Sequence, residues 1–215
     1  MSGRYKDYGY SVPEPGSGDA GRALASEFVS IVAKISDAKT VCDLGCGNGY
    51  LAAQLGKAGF LVTGVDASPT GIEVARQHHQ GDRVDFVCAD FDSGPVDALL
   101  EGRRFDVVVS SDVIEHLYRP SSLIVAAARL LNPGGTLIVG TPYHGYLKNV
   151  AISVLGAWDS HHAPNWDGGH IKFFSVRTLR QLVEKNGFVD ARFRFYGRIR
   201  GFSKNMICIA RKHGN

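Results

Sequence analysis

The sequence predicts an α/β fold built on a doubly wound, mostly parallel sheet. Apolar runs that suit strands alternate with segments of helical periodicity, the pattern of parallel strands joined by right-handed crossovers. The runs are apolar nearly throughout, as expected for strands covered on both faces. The 215 residues suit one domain, which we predict to span residues 1–215.

The N-terminal part of the chain, residues 1–36, predicts an arm followed by a helix. Residues 1–16 are rich in Tyr, Gly and Pro, so we expect an arm or lid there. The helix is predicted from about Ser17 to Ile35, and its apolar stripe consists of Leu24, Phe28, Ile31, Val32 and Ile35. The N-terminus has no apolar core of a secretory signal, and no apolar run reaches bilayer length, so we expect a cytoplasmic protein.

Five strands and three helices are predicted in the middle of the chain. The strands are TVCDL (40–44), LVTGVD (61–66), VDFVCA (84–89), FDVVVSS (105–111) and TLIVGTP (136–142). The helices lie near 49–58, 69–79 and 120–131, and Ser68 followed by Pro69 is typical of a helix start. The NPGG run at 132–135 is expected to end the third of these helices before the fifth strand.

The last part of the chain breaks this alternation. Residues 143–173 hold two tryptophans and four histidines among glycines and prolines, so we predict a substrate-cap insertion. A helix is predicted from the cap Ser175 to Gly187, with Leu179, Leu182 and Val183 inward, and two strands near 188–197 and 205–211 follow. Cys42, Cys88 and Cys208 lie in strand-like runs and are expected to be buried free thiols.

The charge of the chain is unevenly placed. The formal net charge is +3, but residues 170–215 carry eleven Lys or Arg and two Asp or Glu. A basic segment attracts anionic substrates, membrane surfaces or nucleic acid. The alternative is a solvated strand face, because Phe193 and Phe195 alternate with Arg192 and Arg194 as in a half-buried strand.

The loop after the first predicted strand, DLGCGNGY, predicts a nucleotide site without phosphate. Ligands of such sheets bind at the carboxyl ends of the strands. A dinucleotide fingerprint would need glycine where Tyr50 stands, and a P-loop would need a lysine, which is absent between Thr40 and Leu55. Asp43 would repel a pyrophosphate but suits a cation.

Acidic residues also end the next two strands. Asp66 follows Gly49 by 17 residues, the position of a carboxylate that accepts from ribose hydroxyls. Asp90 suits an exocyclic amine, and Phe91 offers an apolar face to a base. These features favour a cationic adenosine ligand, and S-adenosylmethionine fits them.

The sequence contains four motifs in order, VCDLGCGNGYLA, VTGVDAS, VDFVCADF and FDVVVSSDVIEHL, and LNPGGTLIVGTP follows them. Together they resemble the class I S-adenosylmethionine-dependent methyltransferases. The sequence looks most like their small-molecule branch, which includes the ubiquinone-biosynthesis O-methyltransferases. The match covers about 38–142 and more loosely 170–211. The resemblance implies a Rossmann-like, seven-stranded sheet with the last strand antiparallel.

The resemblance also implies which residues hold the cofactor. The turn around the methionine part would consist of Asp43, Gly45, Cys46, Gly47 and Gly49. Asp66 and Ala67 would hold the ribose and adenine. The adenine would also contact Ala89, Asp90 and Phe91, and Ser110 and Ser111 would contact the methionine end. For Phe91 a core role is an alternative.

Transfer of a methyl group to a hydroxyl benefits from a base with a pKa near neutrality, which favours histidine. We predict His170 or His144, which lie near the two ends of the predicted cap, as this base, with His116 as a further candidate. Loop packing is the alternative for His144 and His170.

No metal is predicted, although two metal sites are conceivable. Asp112, Glu115 and His116 would share a face in a helical turn, and ubiquinone-branch relatives are described as holding a cation on such a run. A turn held by internal hydrogen bonds is favoured instead. A zinc site on His144, His161, His162 and His170 is disfavoured, because adjacent histidines point apart in an extended chain and no second ligand pair has zinc-finger spacing.

The sequence thus predicts a methyltransferase with a small-molecule acceptor, methylated on a hydroxyl or carboxyl oxygen, acting as a monomer or homodimer. An acceptor pocket, or the core of the cap, would be formed by Tyr143, Tyr146, Trp158, Trp166, Phe173 and Phe174. Alternatives are an enzyme of lipid or prenylated substrates in peripheral contact with a membrane, a non-catalytic S-adenosylmethionine-binding protein, and an RNA methyltransferase. Nucleic acid is not expected as a partner, because SSDVIEH replaces the Asn/Asp-Pro-Pro-aromatic run of base methyltransferases.

Overall fold

A computed structural model describes residues 7, 9–15, 18–91, 94, 96–197 and 203–214. It contains one seven-stranded sheet with strand order β3-β2-β1-β4-β5-β7-β6. The strands are β1 Thr40–Leu44, β2 Leu61–Asp66, β3 Val84–Cys88, β4 Phe105–Ser111, β5 Leu131–Pro142, β6 Phe188–Tyr196 and β7 Asn205–Lys212. β1 to β5 pair in parallel, and β7 is antiparallel to both β5 and β6. The predicted doubly wound sheet with an antiparallel last strand is therefore confirmed.

Eight helices and a single 3₁₀ turn connect the strands within the described residues. The helices are α1 Asp19–Val32, α2 Tyr50–Lys57, α3 Pro69–His79, α4 Val96–Leu99, α5 Pro120–Leu130, α6 Tyr146–Val154, α7 Trp158–His162 and α8 Val176–Lys185, and the 3₁₀ turn is Ile114–His116. None of these helices is long and apolar enough to cross a membrane.

Helix caps predicted from single residues are confirmed. The Ser68 hydroxyl accepts from the N–H of Gly71 at 2.9 Å, and Pro69 begins α3. Ser175 and Thr178 form a reciprocal capping box at the start of α8. Both helices begin where these short-range hydrogen bonds satisfy the first backbone donors.

Two predicted boundaries are wrong. α1 ends at Val32 rather than Ile35, because tighter turns follow and the chain reverses at Asp37, whose φ is 64°. β5 begins at Leu131, before NPGG, because Leu131 pairs with Phe105 of β4. The NPGG residues form an irregularity in the pairing between β4 and β5. Half of the predicted arm (1–6, 8 and 16) and the predicted helix start at Ser17 lie outside the described residues.

The sheet has an apolar core on each face. One core packs α5 and α8 onto the sheet, with Leu123, Ile124, Leu130, Leu179 and Val183 fully or almost fully buried. The other packs α1, α2 and α3, and its largest fully buried side chain is Phe28. The strand order reverses between β1 and β4, so a ligand crevice is expected at their carboxyl ends.

The predicted burial of the thiols is confirmed at Cys42 and Cys208 and wrong at Cys88. Cys88 is the last residue of β3, and it is exposed.

Candidate functional site

The loop between β1 and α2 is a tight turn that brings neighbouring side chains against its backbone. Gly45, Gly47 and Gly49 all have positive φ, a conformation that other residues rarely adopt. A Cβ at Gly47 would lie 2.8 Å from the hydroxyl of Tyr10, and one at Gly49 would lie 2.7 Å from the ring of Phe86. The glycines thus let side chains of the protein itself approach the loop.

Asp43 is buried beneath this loop. Its Oδ2 has no hydrogen-bond partner among the described residues, whereas the N–H of Ala52 donates to the carboxylate. Burial and then the negative charge of Asp66 raise the pKa of Asp43 to about 8. A buried carboxylate oxygen without a partner suits a ligand that brings positive charge or an N–H donor.

Asp66, at the end of β2, braces the glycine loop. Its Oδ2 accepts from the N–H of Gly47 at 2.7 Å and its Oδ1 from the N–H of Ser68 at 2.8 Å. Burial raises its pKa although both hydrogen bonds oppose the shift. The carboxylate therefore joins the turn after β1 to the turn after β2.

The other predicted cofactor residues lie at the carboxyl ends of β1 to β4, with different side-chain roles. The N–H of Ala89 donates to the carbonyl of Asp66 at 2.8 Å, next to Ala67, Asp90 and Phe91. The Ser110 hydroxyl donates to the carbonyl of Leu44 at 2.7 Å and joins β4 to β1, and Ser111 ends β4. The thiol of Cys46 is buried and faces Gly64, whereas Phe91 packs partly buried against the core.

The residues after β4 form a compact polar turn rather than a helical face. Asp112 has φ 53°, and its Oδ1 accepts from the amide of Asn205 at 2.9 Å. The alternative in which Asp112, Glu115 and His116 share one helical face is not formed, because the 3₁₀ turn begins only at Ile114 and Asp112 is held by Asn205 of β7. The turn still lies beside the glycine loop, since Val113 packs against Gly45.

Glu115 and His116 lie together with His170 instead. The Nε2 of His170 is 4.0 Å from the Oε1 of Glu115, and the rings of His116 and His170 are 4.9 Å apart. Of the residues that the structure describes, only these three bring His, Cys, Asp or Glu ligand atoms within 4.8 Å of one another as a group of three. We call them the Glu115–His116–His170 cluster.

Two members of the cluster, Glu115 and His116, are held in place by hydrogen bonds. The Oε2 of Glu115 accepts from the Thr141 hydroxyl at 2.9 Å, while its Oε1 is buried without a hydrogen-bond partner among the described residues. The Nδ1 of His116 lies 2.9 Å from the carbonyl of Gly168. Because a carbonyl only accepts, Nδ1 carries the proton, and Nε2 carries the lone pair in the neutral ring.

Burial shifts the pKa of every member of the cluster toward its neutral form. It raises the pKa of Glu115 well above its usual range, and the charge of Asp112 adds to this shift. It lowers the pKa of His170 to about 4 and also lowers that of His116. At neutral pH the two histidines are therefore neutral, as a proton acceptor or a metal ligand must be.

The third predicted base, His144, belongs to a different group. Its ring centroid lies 5.8 Å from that of His161, 5.7 Å from that of His162 and 4.9 Å from that of Phe173. These rings pack face to face or edge to face, and we call His144, His161 and His162 the cap histidines. The structure thus brings His116 and His170 together and leaves His144 apart.

We expect protonation of His144 to destabilise the cap at acidic pH. Burial, and then the positive charge of Lys148 and of the neighbouring His161, His162 and His170, lowers the pKa of His144 from 6.5 to about 4. The unfolded chain then binds more protons than the native protein between these values, so this residue's contribution reduces the free energy of unfolding as pH falls through that window.

The measurement compares denaturant unfolding of wild type and His144→Gln from pH 7 to 4. Protonation of buried carboxyl groups such as Asp43 raises the free energy of unfolding as pH falls, which is opposite to the effect of His144. The effect of His144 is therefore read from the difference in free energy of unfolding between wild type and His144→Gln at each pH. His213→Gln, at an exposed position, is the matched control. Equal pH slopes for wild type and His144→Gln would contradict the expectation.

The predicted acceptor-pocket aromatics do not all converge. Phe174 is buried in the core and Tyr146 is 81% exposed on α6, so both are removed from a shared pocket. Trp166 instead packs edge-on to His116 and His170, at 6.2 and 6.0 Å between ring centroids. Half-exposed Trp158 and Phe173 lie against His162, at 4.7 and 4.8 Å.

Sequence reasoning missed several residues of the site. Thr141 and Asn205 position the two acidic side chains after β4, yet they lie 26 and 93 residues away from those partners in the chain. Asp7, Tyr10 and Asn48 join the N-terminal arm to the glycine loop and to α3. The only sequence signal for them was the run of Tyr, Gly and Pro in the arm.

Comparison with known proteins identifies the family of the chain. Residues 18–191 match the family model described as a methyltransferase domain. A ubiquinone biosynthesis O-methyltransferase from Methylobacterium sp. (strain 4-46) is 32% identical over 159 residues, which cover 71% of this chain and 60% of that protein. The chain thus spans about three fifths of the length of this curated relative.

Solved structures share the fold. The magnesium protoporphyrin IX methyltransferase of Synechocystis PCC 6803, solved with bound SAH, has a TM-score of 0.68 at 23% identity, covering 90% of this chain and 84% of its own. The N-methyltransferase NodS from Bradyrhizobium japonicum WM9 has a TM-score of 0.66 at 14% identity, covering 92% and 89%. The family match extends over most of the sheet and its helices, and the chain belongs to the methyltransferase domain family.

Proposed function

We propose that the protein transfers a methyl group from S-adenosylmethionine to an oxygen of a small-molecule acceptor. One observation carries the proposal: the turn that holds Glu115 and His116 lies beside the glycine loop, where its Val113 packs on Gly45. A crevice with the glycine loop on one side and proton acceptors on the other suits methyl transfer to a hydroxyl. The ubiquinone-biosynthesis relatives, named as O-methyltransferases, support the choice of oxygen.

On the cofactor side, the acidic residues fit a cationic adenosine ligand. The unpartnered Oδ2 of Asp43 suits a positively charged or N–H-donating group of the methionine part, and Asp66 suits the ribose hydroxyls. When bound, the sulfonium supplies an activated methyl group, so the chain need only align donor and acceptor and exclude water. Gly45, Gly47 and Gly49 keep the loop backbone in the turn that this alignment requires.

On the acceptor side, the cluster holds the proton that the acceptor loses. His116, fixed by Gly168 with its lone pair on Nε2, and His170 are the candidate bases, while Glu115 is fixed by Thr141. The same three side chains fit a divalent cation, since the buried Oε1 of Glu115 has no hydrogen-bond partner among the described residues. A cation held there would acidify an acceptor hydroxyl.

The proposal is tested by calorimetry and by an acceptor screen. We expect S-adenosylhomocysteine to bind the purified protein, and phenols or carboxylic acids to support its release from S-adenosylmethionine. Amines, supplied at the same concentration, are the comparison class. Binding of NAD without binding of S-adenosylhomocysteine would overturn the proposal, and turnover that requires RNA would reverse the choice of acceptor.

The basic C-terminal part gives the RNA alternative little support. Arg194 forms an ion pair with Glu27 at 2.7 Å, and the guanidinium of Arg180 lies over the ring of Phe193. These contacts agree with the solvated strand face that the alternation of Phe and Arg predicts. Arg198 and Arg200 lie outside the described residues.

Peripheral membrane contact and the substrate cap stay proposals. α6 exposes a row of apolar side chains that a lipophilic acceptor or a bilayer surface would cover, namely Tyr146, Leu147, Val150, Val154 and the adjoining Leu155. The cytoplasmic location and the monomeric or homodimeric state also stay predictions.

A further inference from the structure

The described part of the N-terminal arm, residues 7 and 9–15, lies against the glycine loop and α3. Asp7 accepts from the hydroxyls of Ser68 and Thr70, both at 2.6 Å, at the start of α3. The N–H of Tyr10 donates to the Thr70 hydroxyl at 3.0 Å. The arm is therefore fastened to the turn that follows β2.

A second attachment comes from the glycine loop itself. The side-chain amide of Asn48 donates to the carbonyls of Val12 and Glu14, at 2.9 and 2.7 Å, and Asn48 is 7% exposed. Asn48 lies between Gly47 and Gly49, so any movement of this loop is transmitted to the arm. The Nε2 of His79, at the end of α3, lies 3.4 Å from the carbonyl of Pro13.

Between these attachments the ring of Tyr10 packs on the backbone of two turns. A Cβ at Gly47 would lie 2.8 Å from the Tyr10 hydroxyl, and a Cβ at Gly71 would lie 3.0 Å from its Cδ2. Gly47 belongs to the turn after β1, and Gly71 to the first turn of α3 after β2. The ring thus bridges the two loops between which Asp66 lies.

We propose that Tyr10 is a cofactor-positioning residue and that residues 9–15 form a clamp, fastened by Asn48 and Thr70, which closes the cofactor crevice from the side of β2. The inference rests on the proposed binding of S-adenosylmethionine at this loop. A ring held over Gly47 excludes water from the crevice and limits the ways in which the ligand can leave. Removal of the ring is therefore expected to speed ligand dissociation and weaken binding, without altering the acceptor side.

The first test measures the dissociation constant of S-adenosylhomocysteine by calorimetry. Tyr10→Ala is expected to raise it by about tenfold or more, Tyr10→Phe to keep it within about threefold of wild type, and Asn48→Ala to raise it as the clamp loses its attachment. Asp19→Asn is the matched control, since it breaks only an exposed ion pair with Arg22 that lies just outside the clamp. Its dissociation constant is expected to equal that of wild type.

Two further readouts separate positioning from a merely structural effect. Tyr10→Ala is expected to raise the KM for S-adenosylmethionine while kcat changes by less than about threefold, with an unchanged Tm in the absence of ligand. S-adenosylhomocysteine is expected to protect the arm of wild type, but not of Asn48→Ala, from limited proteolysis.

The outcomes separate the two proposals. If wild type does not bind S-adenosylhomocysteine, the proposed function fails and the clamp fails with it. If wild type binds, but Tyr10→Ala binds within threefold of wild type, the clamp alone is overturned. An increase for Tyr10→Phe as large as that for Tyr10→Ala would assign the effect to the hydroxyl and overturn the role of the ring.

Discussion

Replacing His116 by alanine is expected to lower kcat by about 10²- to 10⁴-fold, the usual contribution of a positioned base. The ring is fixed through Nδ1 by the carbonyl of Gly168, so its Nε2 lone pair has one orientation beside Glu115 and His170. His170→Ala is expected to lower kcat in the same range. Neither change touches the glycine loop, so the dissociation constant of S-adenosylhomocysteine is expected to stay within about twofold of wild type.

His144→Ala is the matched control, because His144 packs with the cap histidines and not with the cluster. It is expected to reduce kcat by less than about tenfold. Wild-type turnover in both His116→Ala and His170→Ala, with intact folding, would remove the cluster from the mechanism. Chelation separates its two possible roles: loss of activity in EDTA that Mg²⁺ restores indicates a bound cation, whereas unchanged activity indicates direct proton transfer to a histidine.

Asp66→Ala is expected to weaken binding of S-adenosylhomocysteine by at least about 100-fold, because two charge-assisted hydrogen bonds to the ribose would be lost. The same change leaves the buried N–H groups of Gly47 and Ser68 without their acceptor, which is expected to cost about 2–4 kcal/mol in the free energy of unfolding. Calorimetry and urea unfolding measure the two effects separately.

Asp85→Asn on the neighbouring strand is the control for this prediction. Asp85 accepts from Thr63 and from Arg103, at 2.7 and 2.9 Å, and it lies outside the glycine loop. Its replacement is expected to leave ligand affinity unchanged. Binding by Asp66→Ala within about threefold of wild type would show that the carboxylate braces the loop without contacting the ligand.

The sequence predicted best those features that depend on neighbouring residues. Ser68 and Ser175 begin helices through hydrogen bonds that span three positions, so the residue types suffice to locate them. The start of β5 depends instead on pairing between Leu131 and Phe105, and local turn chemistry at NPGG pointed to the wrong boundary. α6 was not predicted. Most of its larger apolar side chains are exposed, so its sequence lacks the alternation of apolar and polar residues by which a helix packed on a core is recognised.

In the site, too, the contacts between neighbouring residues were predicted better than those between distant ones. Glu115 and His116 are adjacent and stood out as a motif, but their partner is His170, more than fifty positions away, rather than Asp112 four positions before His116. Asp112 is instead drawn to Asn205 of β7, a contact that only the sheet order creates. Spacing along the chain therefore indicated which chemical groups the site uses, but it identified only some of the residues that form the site.

The position of β7 in the sheet has a consequence for how the chain is made. β7 is the last of the described strands in chain order, yet it lies between β5 and β6, and among the described residues β6 pairs with β7 alone. During synthesis β5 therefore presents an open edge until residues near 205–212 emerge, and β6 has no partner strand before then. Long-range closure of this kind slows folding, and open edges invite pairing between chains. The species most prone to aggregate is thus a chain that has been made through β6 but not yet through β7, and it is protected once the eight-residue β7 pairs with β5 and β6.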